Sequence, residues 1–306
     1  MKYCNLGKAQ SSRIVMGCMR INNKELLETE KVVVEAMRSG VNTFDLADIY
    51  GAGDCERIFG VAIRDLGVSR EDYIIQTKCG IHKREGKAWY DFDKEYILSC
   101  ADASLRRLNT EYIDVLLLHR PDTLMEMEEV YGAFDKLKSE GKVRAFGVSN
   151  FSAMQMRMLK QTGIEIVANQ VQFSLMHTAL IDAGLNVNMY KDESANRAGD
   201  VLEYCRMEDV RLQAWSPMQY GFFEGVFVGN DKFPKLNAEL SKLAEKYGCT
   251  PTTIATAWIL RHPAKIQVVT GTTSCERMQQ MCDAAEIELT KEEWYSLYLA
   301  TGKKLP

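Results

Sequence analysis

Three features of the sequence predict a (β/α)8 TIM barrel with an N-terminal cap and two extra helices. Eight short β-branched or apolar runs alternate with helix-length amphipathic segments along the chain, the order expected of parallel βαβ units. Several runs are apolar on both faces, IDVLLLH at 113–119 being the clearest, and a strand covered by helices on both sides reads that way. At 306 residues the chain is long enough to form such a barrel as a single domain over residues 1–306, and no linker, repeat or low-complexity segment divides it. The rival architecture, a doubly wound open sheet, carries a Gly-x-Gly-x-x-Gly turn after its first strand. The corresponding turn here reads MGCMRINN, and a P-loop is absent as well.

Taken in order, residues 1–13 precede the first run and are expected to close the barrel floor. Ile14–Cys18 is the first strand and Glu25–Arg38 the first helix, stopped by the turn sequence SGVN at 39–42. Val41–Asp45 and Asp54–Asp65 form the second unit, Tyr73–Thr77 and Lys94–Arg107 the third, Ile113–Leu118 and Leu124–Ser139 the fourth. Val143–Val148 with Ala153–Gln161, Glu165–Val171 with Asp200–Arg206, and Val210–Trp215 with Thr252–Arg261 complete the fifth to seventh. Ile266–Thr270 is the eighth strand. Pro217–Pro234, rich in Gly and aromatics, is long for a βα loop and points to a functional cover. Lys235–Lys246 and Lys291–Ala300 are helical in pattern and surplus to the barrel.

Composition narrows the function classes. Apolar residues make up 46% and charged residues 26% of the chain, with a net charge of −4; this is an ordinary globular balance without the basic footprint of a nucleic-acid binder. No apolar run approaches the ~18 residues of a bilayer span, and the first residues lack the continuous apolar segment of a secretory signal. A cytoplasmic protein with no membrane partner is expected. The nine cysteines include no Cys-x-x-Cys pair and the four histidines no pair at i, i+4, so reduced thiols and no metal site are expected.

In a barrel of this kind the reacting groups stand at the C-terminal ends of the strands. Asp45 closes strand two there and Tyr50 follows in its loop; Lys78 closes strand three and His119 strand four. Ser149 and Asn150 end strand five, Gln170 strand six, Trp215 and Ser216 strand seven, Gly271 and Thr272 strand eight. Singly, each has an ordinary reading. Asp45 and Lys78 make a structural ion pair, Tyr50 is a loop aromatic, His119 a satisfied core histidine, Trp215 a core indole, and nearby Cys79 a small apolar filler. Together they gather an acid, a phenol, an amine and an imidazole at one mouth, with no metal or nucleophile motif competing for it.

The segments GVNTFDLADIYG, YIIQTKCG, SLRRLNTEYIDVLLLHRPD, GKVRAFGVSNF, ANQVQFS and LQAWSPM, in that order, resemble the successive motifs of the aldo-keto reductases. The resemblance runs from about Val15 to the C-terminal helix, and LLLHRPD and the ending ELTKEEWYSLYLATG are most similar to bacterial oxidoreductases of the YdhF type. It implies an NADP-dependent enzyme passing hydride from NAD(P)H to the carbonyl of small aldehydes or ketones, with Asp45, Tyr50, Lys78 and His119 as its catalytic tetrad. A carbonyl gaining hydride at carbon develops alkoxide character and needs a proton. A free tyrosine, with a pKa near ~10, gives one reluctantly. The Lys78 ammonium is expected to lower that value, Asp45 to keep Lys78 charged, and His119 to orient the carbonyl. The same matching assigns Ser149, Asn150 and Gln170 to the nicotinamide carboxamide and Trp215 to stacking on its ring. Ser216, Gly271 and Thr272 fall to the phosphates, Arg277 to the adenosine end and Gln280 to the adenine, with Gly17 also among the cofactor contacts.

The chain departs from the best-known members where many carry Lys-Ser after strand eight. Gly271-Thr272 leaves one cation for a 2′-phosphate missing, and Met281 replaces a polar residue often found beside the adenine. NADPH is still expected over NADH, through Arg277. Met19, Arg20, Trp89, Tyr90 and Phe222 are candidates for the pocket rim, and the few residues after Ala300 predict an open, accommodating mouth. The fold also serves cofactor-sensing channel subunits, against which the intact tetrad favours the enzyme; a dehydrogenase running the reverse way on a sugar or alcohol is separated from the reductase only by substrate kinetics. No oligomeric partner is legible in the sequence.

Overall fold

The computed structural model describes residues 1–306. The chain opens with an antiparallel hairpin, β1 (Tyr3–Leu6) against β2 (Ala9–Ser12). Eight parallel strands follow: β3 (Ile14–Gly17), β4 (Thr43–Asp45), β5 (Ile74–Cys79), β8 (Ile113–Leu118), β9 (Val143–Ser149), β10 (Ile166–Gln172), β11 (Arg211–Trp215) and β14 (Gln267–Thr270). They form a closed barrel in that order, with β14 paired back onto β3. Two further hairpins rise from βα connections, β6 (Ile81–Arg84) with β7 (Lys87–Tyr90) and β12 (Gln219–Tyr220) with β13 (Gly225–Val226).

Around the barrel stand α1 (Leu26–Arg38), α2 (Asp54–Asp65), α3 (Lys94–Leu108), α4 (Met127–Ser139), α5 (Ala153–Gln161), α7 (Val201–Met207), α9 (Pro251–Leu260) and α10 (Cys275–Asp283). The predicted surplus helices are α8 (Pro234–Tyr247) and α11 (Lys291–Ala300), and a third, α6 (Ala179–Leu185), joins them. Neither α6 nor α10 is predicted from the sequence. With seven residues, α6 is two turns long and shows no resolvable period, and α10 buries only Met278, Met281 and Cys282 among nine residues. Likewise the Glu85–Gly86 turn of β6–β7, left-handed at both residues, is a two-residue hairpin loop hidden in a polar stretch.

The main apolar core lies between strands and helices, as the two-faced strands require. Inside the barrel the packing divides. At the floor Leu6, carried on the N-terminal hairpin, packs with Ile74, Val115, Leu117, Val167 and Ala168, so the first residues do cap the barrel. Above and beside this plug the interior is polar. Gln267 Nε2 donates to Ser11 Oγ at 2.6 Å, and Gln213 Nε2 donates to the side-chain oxygens of both Gln267 and Gln76, each at 3.0 Å. Gln76 Nε2 then donates to Asp45 Oδ1 at 2.6 Å. The three glutamines are fully buried, and each amide is satisfied by the next, which a buried polar group requires.

At the other side of the shell α9 and α11 are locked by their tryptophans. Trp258 and Trp294 stack at 4.9 Å with an interplanar angle of 8°, and each indole N–H donates to the other's main-chain carbonyl at 3.0 Å. Trp258 is fully buried. Trp258→Ala is expected to cost ~3–5 kcal/mol, as large aromatic truncations in cores do. Urea unfolding followed by fluorescence of the remaining indoles measures it, and a loss below ~1 kcal/mol would show that α11 is not anchored this way.

Candidate active site

Asp45 ends β4, and the connection after it turns sharply through Gly51, Ala52 and Gly53, all left-handed. This turn brings Tyr50 back over the strand ends. Lys78, near the end of β5, is fully buried, and its ammonium makes three hydrogen bonds: to Asp45 Oδ2 at 2.7 Å, to Leu46 O at 2.7 Å and to Tyr50 Oη at 3.3 Å. Asp45 Oδ1 meanwhile accepts from Gln76 Nε2 at 2.6 Å and Gln170 Nε2 at 2.8 Å. His119 follows β8, its ring set edge-on to Tyr50 at 5.8 Å between centroids. The four side chains predicted to act together are therefore brought together.

Their electrostatics differ from expectation in one respect. Burial raises the Tyr50 pKa, the Lys78 ammonium lowers it and Asp45 raises it, and the balance lies above the usual tyrosine value rather than below it. Tyr50 is a neutral phenol, with its proton in place. Burial works against a charged Lys78, but Asp45 and Tyr50 outweigh it and hold the ammonium above the ordinary lysine range. Burial and the nearby cations Lys78 and Arg120 pull His119 well below 6.5, so its ring is neutral. Its Nδ1 is buried with no partner. Cys79 is buried and its thiol is pushed far up by burial, which removes it as a nucleophile. All nine cysteines are unpaired.

The predicted nicotinamide contacts form one hydrogen-bonded group. Asn150 Nδ2 donates to Ser149 Oγ at 2.9 Å, Ser149 Oγ to the Gln170 carbonyl at 2.8 Å, and Trp215 Nε1 to Asn150 Oδ1 at 3.0 Å. Gln170 donates its amide nitrogen inside the barrel, to Asp45 and Gln213. Trp215 is half-buried beneath Phe223, 6.0 Å between near-parallel rings, and Phe222 meets it edge-on. The predicted cover over residues 217–234 is thus the β12–β13 hairpin, with its aromatic tip over the indole. Ser216 Oγ donates to Gln219 Oε1 at 2.9 Å.

Past β14 the phosphate candidates are exposed or half-buried. Thr272 Oγ1 accepts from Arg277 Nε at 3.1 Å and from Ser274 N at 3.1 Å, while Gln280 Nε2 turns back to Glu276 at 3.2 Å. Arg20, a rim candidate, reaches across to Gly271, its Nη1 donating to the carbonyl at 2.9 Å. Met281 is buried in the core. Gly17 has a packing reason of its own: a Cβ there would lie 2.1 Å from the Thr270 carbonyl oxygen. Trp89 and Tyr90 are exposed on β7, where Trp89 stacks on His82 at 4.5 Å.

Sequence reasoning missed Gln76, which donates to Asp45, Gln213, which pairs with Gln76 and Gln170, and Asp48, two residues before Tyr50. The signal for Gln76 was its spacing, two residues before Lys78 and hence on the same face of β5. Asp48 borders a cavity of about 630 Å³ lined also by His82, Tyr96, Cys100 and Arg107. A hollow of about 670 Å³ beneath the barrel, between Leu6 and Phe134, holds none of the predicted residues.

A sequence model of the aldo/keto reductase family matches residues 13–298. The chain is 35% identical to a 6-dehydroglucose reductase of Agrobacterium fabrum, over 97% of each chain. It is 32% identical to the oxidoreductase YdhF of Escherichia coli, over 94% of this chain and 92% of that one. Among solved structures it resembles a thermostable aldo-keto reductase, Tm1743, with a TM-score of 0.78 and 25% identity over 98% of this chain and 100% of the other. An aldo-keto reductase from Klebsiella pneumoniae in complex with NADPH gives a TM-score of 0.75 at 23% identity, over 96% of this chain and 93% of that one.

Burial and the neighbouring Glu56 carboxylate push Asp48 up to about 7. A carboxyl whose folded pKa lies above its unfolded value of 3.8 stabilises the fold only while protonated, and that contribution is lost as pH rises through about 7. Asp48→Asn is therefore expected to gain stability over the native chain as pH rises, by ~2 kcal/mol more at pH ~8 than at pH ~5. Urea midpoints of both proteins at the two pH values test this, and a pH-independent difference would place Asp48 in water.

Proposed function

The chain belongs to the aldo/keto reductase family, and from that premise we propose that it is an NADP-dependent carbonyl reductase using Tyr50 as its proton donor. The observation that carries the reading is the three-way use of the Lys78 ammonium, on Asp45, Leu46 and Tyr50. A purely structural lysine–aspartate pair would have no reason to spend its third proton on a half-buried phenol at the mouth. The relative named 6-dehydroglucose reductase supports small aldehydes bearing sugar-like hydroxyls as part of the substrate range.

When bound, the nicotinamide dinucleotide supplies a hydride to the carbonyl carbon. As the carbonyl π pair moves onto oxygen, Tyr50 gives its phenolic proton to that oxygen, and an alcohol results. The phenolate left behind faces the Lys78 ammonium, which stabilises it until solvent returns the proton. Asp45, held by Gln76 and Gln170, keeps that ammonium charged and aimed. His119 is neutral and has one ring proton; with Nδ1 buried and without an acceptor, the proton belongs on Nε2, where it can donate to the same carbonyl oxygen.

The residues present fit a dinucleotide. Ser149, Asn150 and Trp215 form one polar and aromatic group at the strand ends for the nicotinamide end, and Ser216, Thr272 and Arg277 offer hydroxyls and a guanidinium for the phosphates. Arg277 forms no ion pair within the chain, which leaves its charge for a ligand. On this reading NADPH is preferred over NADH.

Tyr50→Phe removes the proton donor and little else. It is expected to lower kcat at least ~100-fold while leaving the NADPH Kd within about threefold. A variant keeping more than about a tenth of native kcat would rule Tyr50 out as the donor. The pH profile is a second check. With His119 neutral and the Tyr50 proton retained to above the ordinary value of 10.0, kcat/KM for carbonyl reduction should be level between about pH 6 and 8. An inflection near ~6.5 would mean that an imidazolium takes part.

A further inference from the structure

We propose that Arg20, on the connection between β3 and α1, is a second reader of the cofactor's 2′-phosphate, working with Arg277; this rests on the dinucleotide reading above. Two guanidinium groups from different connections reach adjacent residues of one segment, one guanidinium to each. Arg20 Nη1 donates to the Gly271 carbonyl at 2.9 Å, and Arg277 Nε donates to the Thr272 hydroxyl at 3.1 Å. These are the only side-chain hydrogen bonds that either guanidinium makes, and neither has a carboxylate partner. A guanidinium carries five N–H donors, so most of both sets stay free. Two like charges held at one short segment, each without a counter-ion, are at their most stable with an anion between them.

Gly271 makes the arrangement possible. A Cβ at this position would stand 2.6 Å from Arg20 Nη1, so a side chain on residue 271 and the Arg20 guanidinium compete for one space. The cation that is absent directly after the last strand is supplied from the first βα connection instead. The anion that suits two guanidiniums is a terminal phosphate monoester, which carries a charge of −1.5 to −2 and three acceptor oxygens and takes bidentate pairs. A bridging pyrophosphate offers a single charge per phosphorus and is common to both cofactors, which allows the two to be told apart.

The test is binding, measured apart from turnover. NADPH and NADH are titrated by protein fluorescence, and 2′,5′-ADP and 5′-AMP by calorimetry, at one ionic strength. Arg20→Ala is expected to weaken NADPH and 2′,5′-ADP by roughly ten- to a hundredfold and to leave NADH and 5′-AMP within about threefold. Arg20→Lys should fall between, keeping the charge but losing the planar fork. Combining Arg20→Ala with Gly271→Lys returns a cation to the vacated space and should recover most of the lost NADPH affinity. Equal losses for NADH and NADPH in Arg20→Ala, or no loss for either, would overturn the assignment while leaving the reductase reading intact. A native chain that binds neither dinucleotide would overturn both.

Discussion

One ammonium ion, held where there is no water, is the constraint from which the rest of the mouth follows. Lys78 is fully buried, and an uncompensated charge there would cost several kcal/mol. Three acceptors surround it, and of these the Asp45 carboxylate is itself nearly buried and must be satisfied in turn. The amides of Gln76 and Gln170 do this, and those amides need Gln213, which needs Gln267, which needs Ser11. Barrels of this type are usually filled by layers of branched apolar side chains. Here much of the filling is polar because a charge at the top imposes a chain of partners beneath it.

What the sequence made legible, and what it hid, divide along physical lines. The strands could be read because burial on both faces gives continuous apolar runs, and Asp45, Lys78 and His119 stood out as polar residues ending such runs. The glutamines did not, because which face of a strand points into a barrel depends on closure, and Gln76 or Gln213 reads equally well as a tolerated polar residue on an apolar strand. Elements of two turns or less, such as α6 and the two outer hairpins, are too short for periodicity to register. The sign of the Tyr50 shift was misjudged for a different reason: the sequence places a lysine charge beside the phenol, but burial, the larger influence, belongs to the folded state. Arg20 was legible as a mouth residue, and its reach to Gly271 became visible only when the first and last strands were seen paired.

The mouth is built from two kinds of backbone. Asn150 and Ser216 both take left-handed conformations directly after β9 and β11, strained placements of the kind that rigid surroundings must enforce. They fix the polar side chains at the strand ends. Above them the exposed aromatics Trp89, Tyr90, Phe222 and Phe223 sit on hairpins whose sequence can change without disturbing any strand.

The N-terminal hairpin acquires a meaning beyond that of a plug. Leu6 seals the floor by packing, but Ser11, five residues on, is the last acceptor in the line of glutamines that begins at Asp45. The two ends of the barrel are therefore joined by a continuous run of directional bonds that never passes through solvent. A loosening of the N-terminal hairpin would be transmitted as a change in the orientation of a carboxylate, and the opening segment of the chain, at the far end of the barrel, belongs to the same mechanical unit as Asp45 and Lys78.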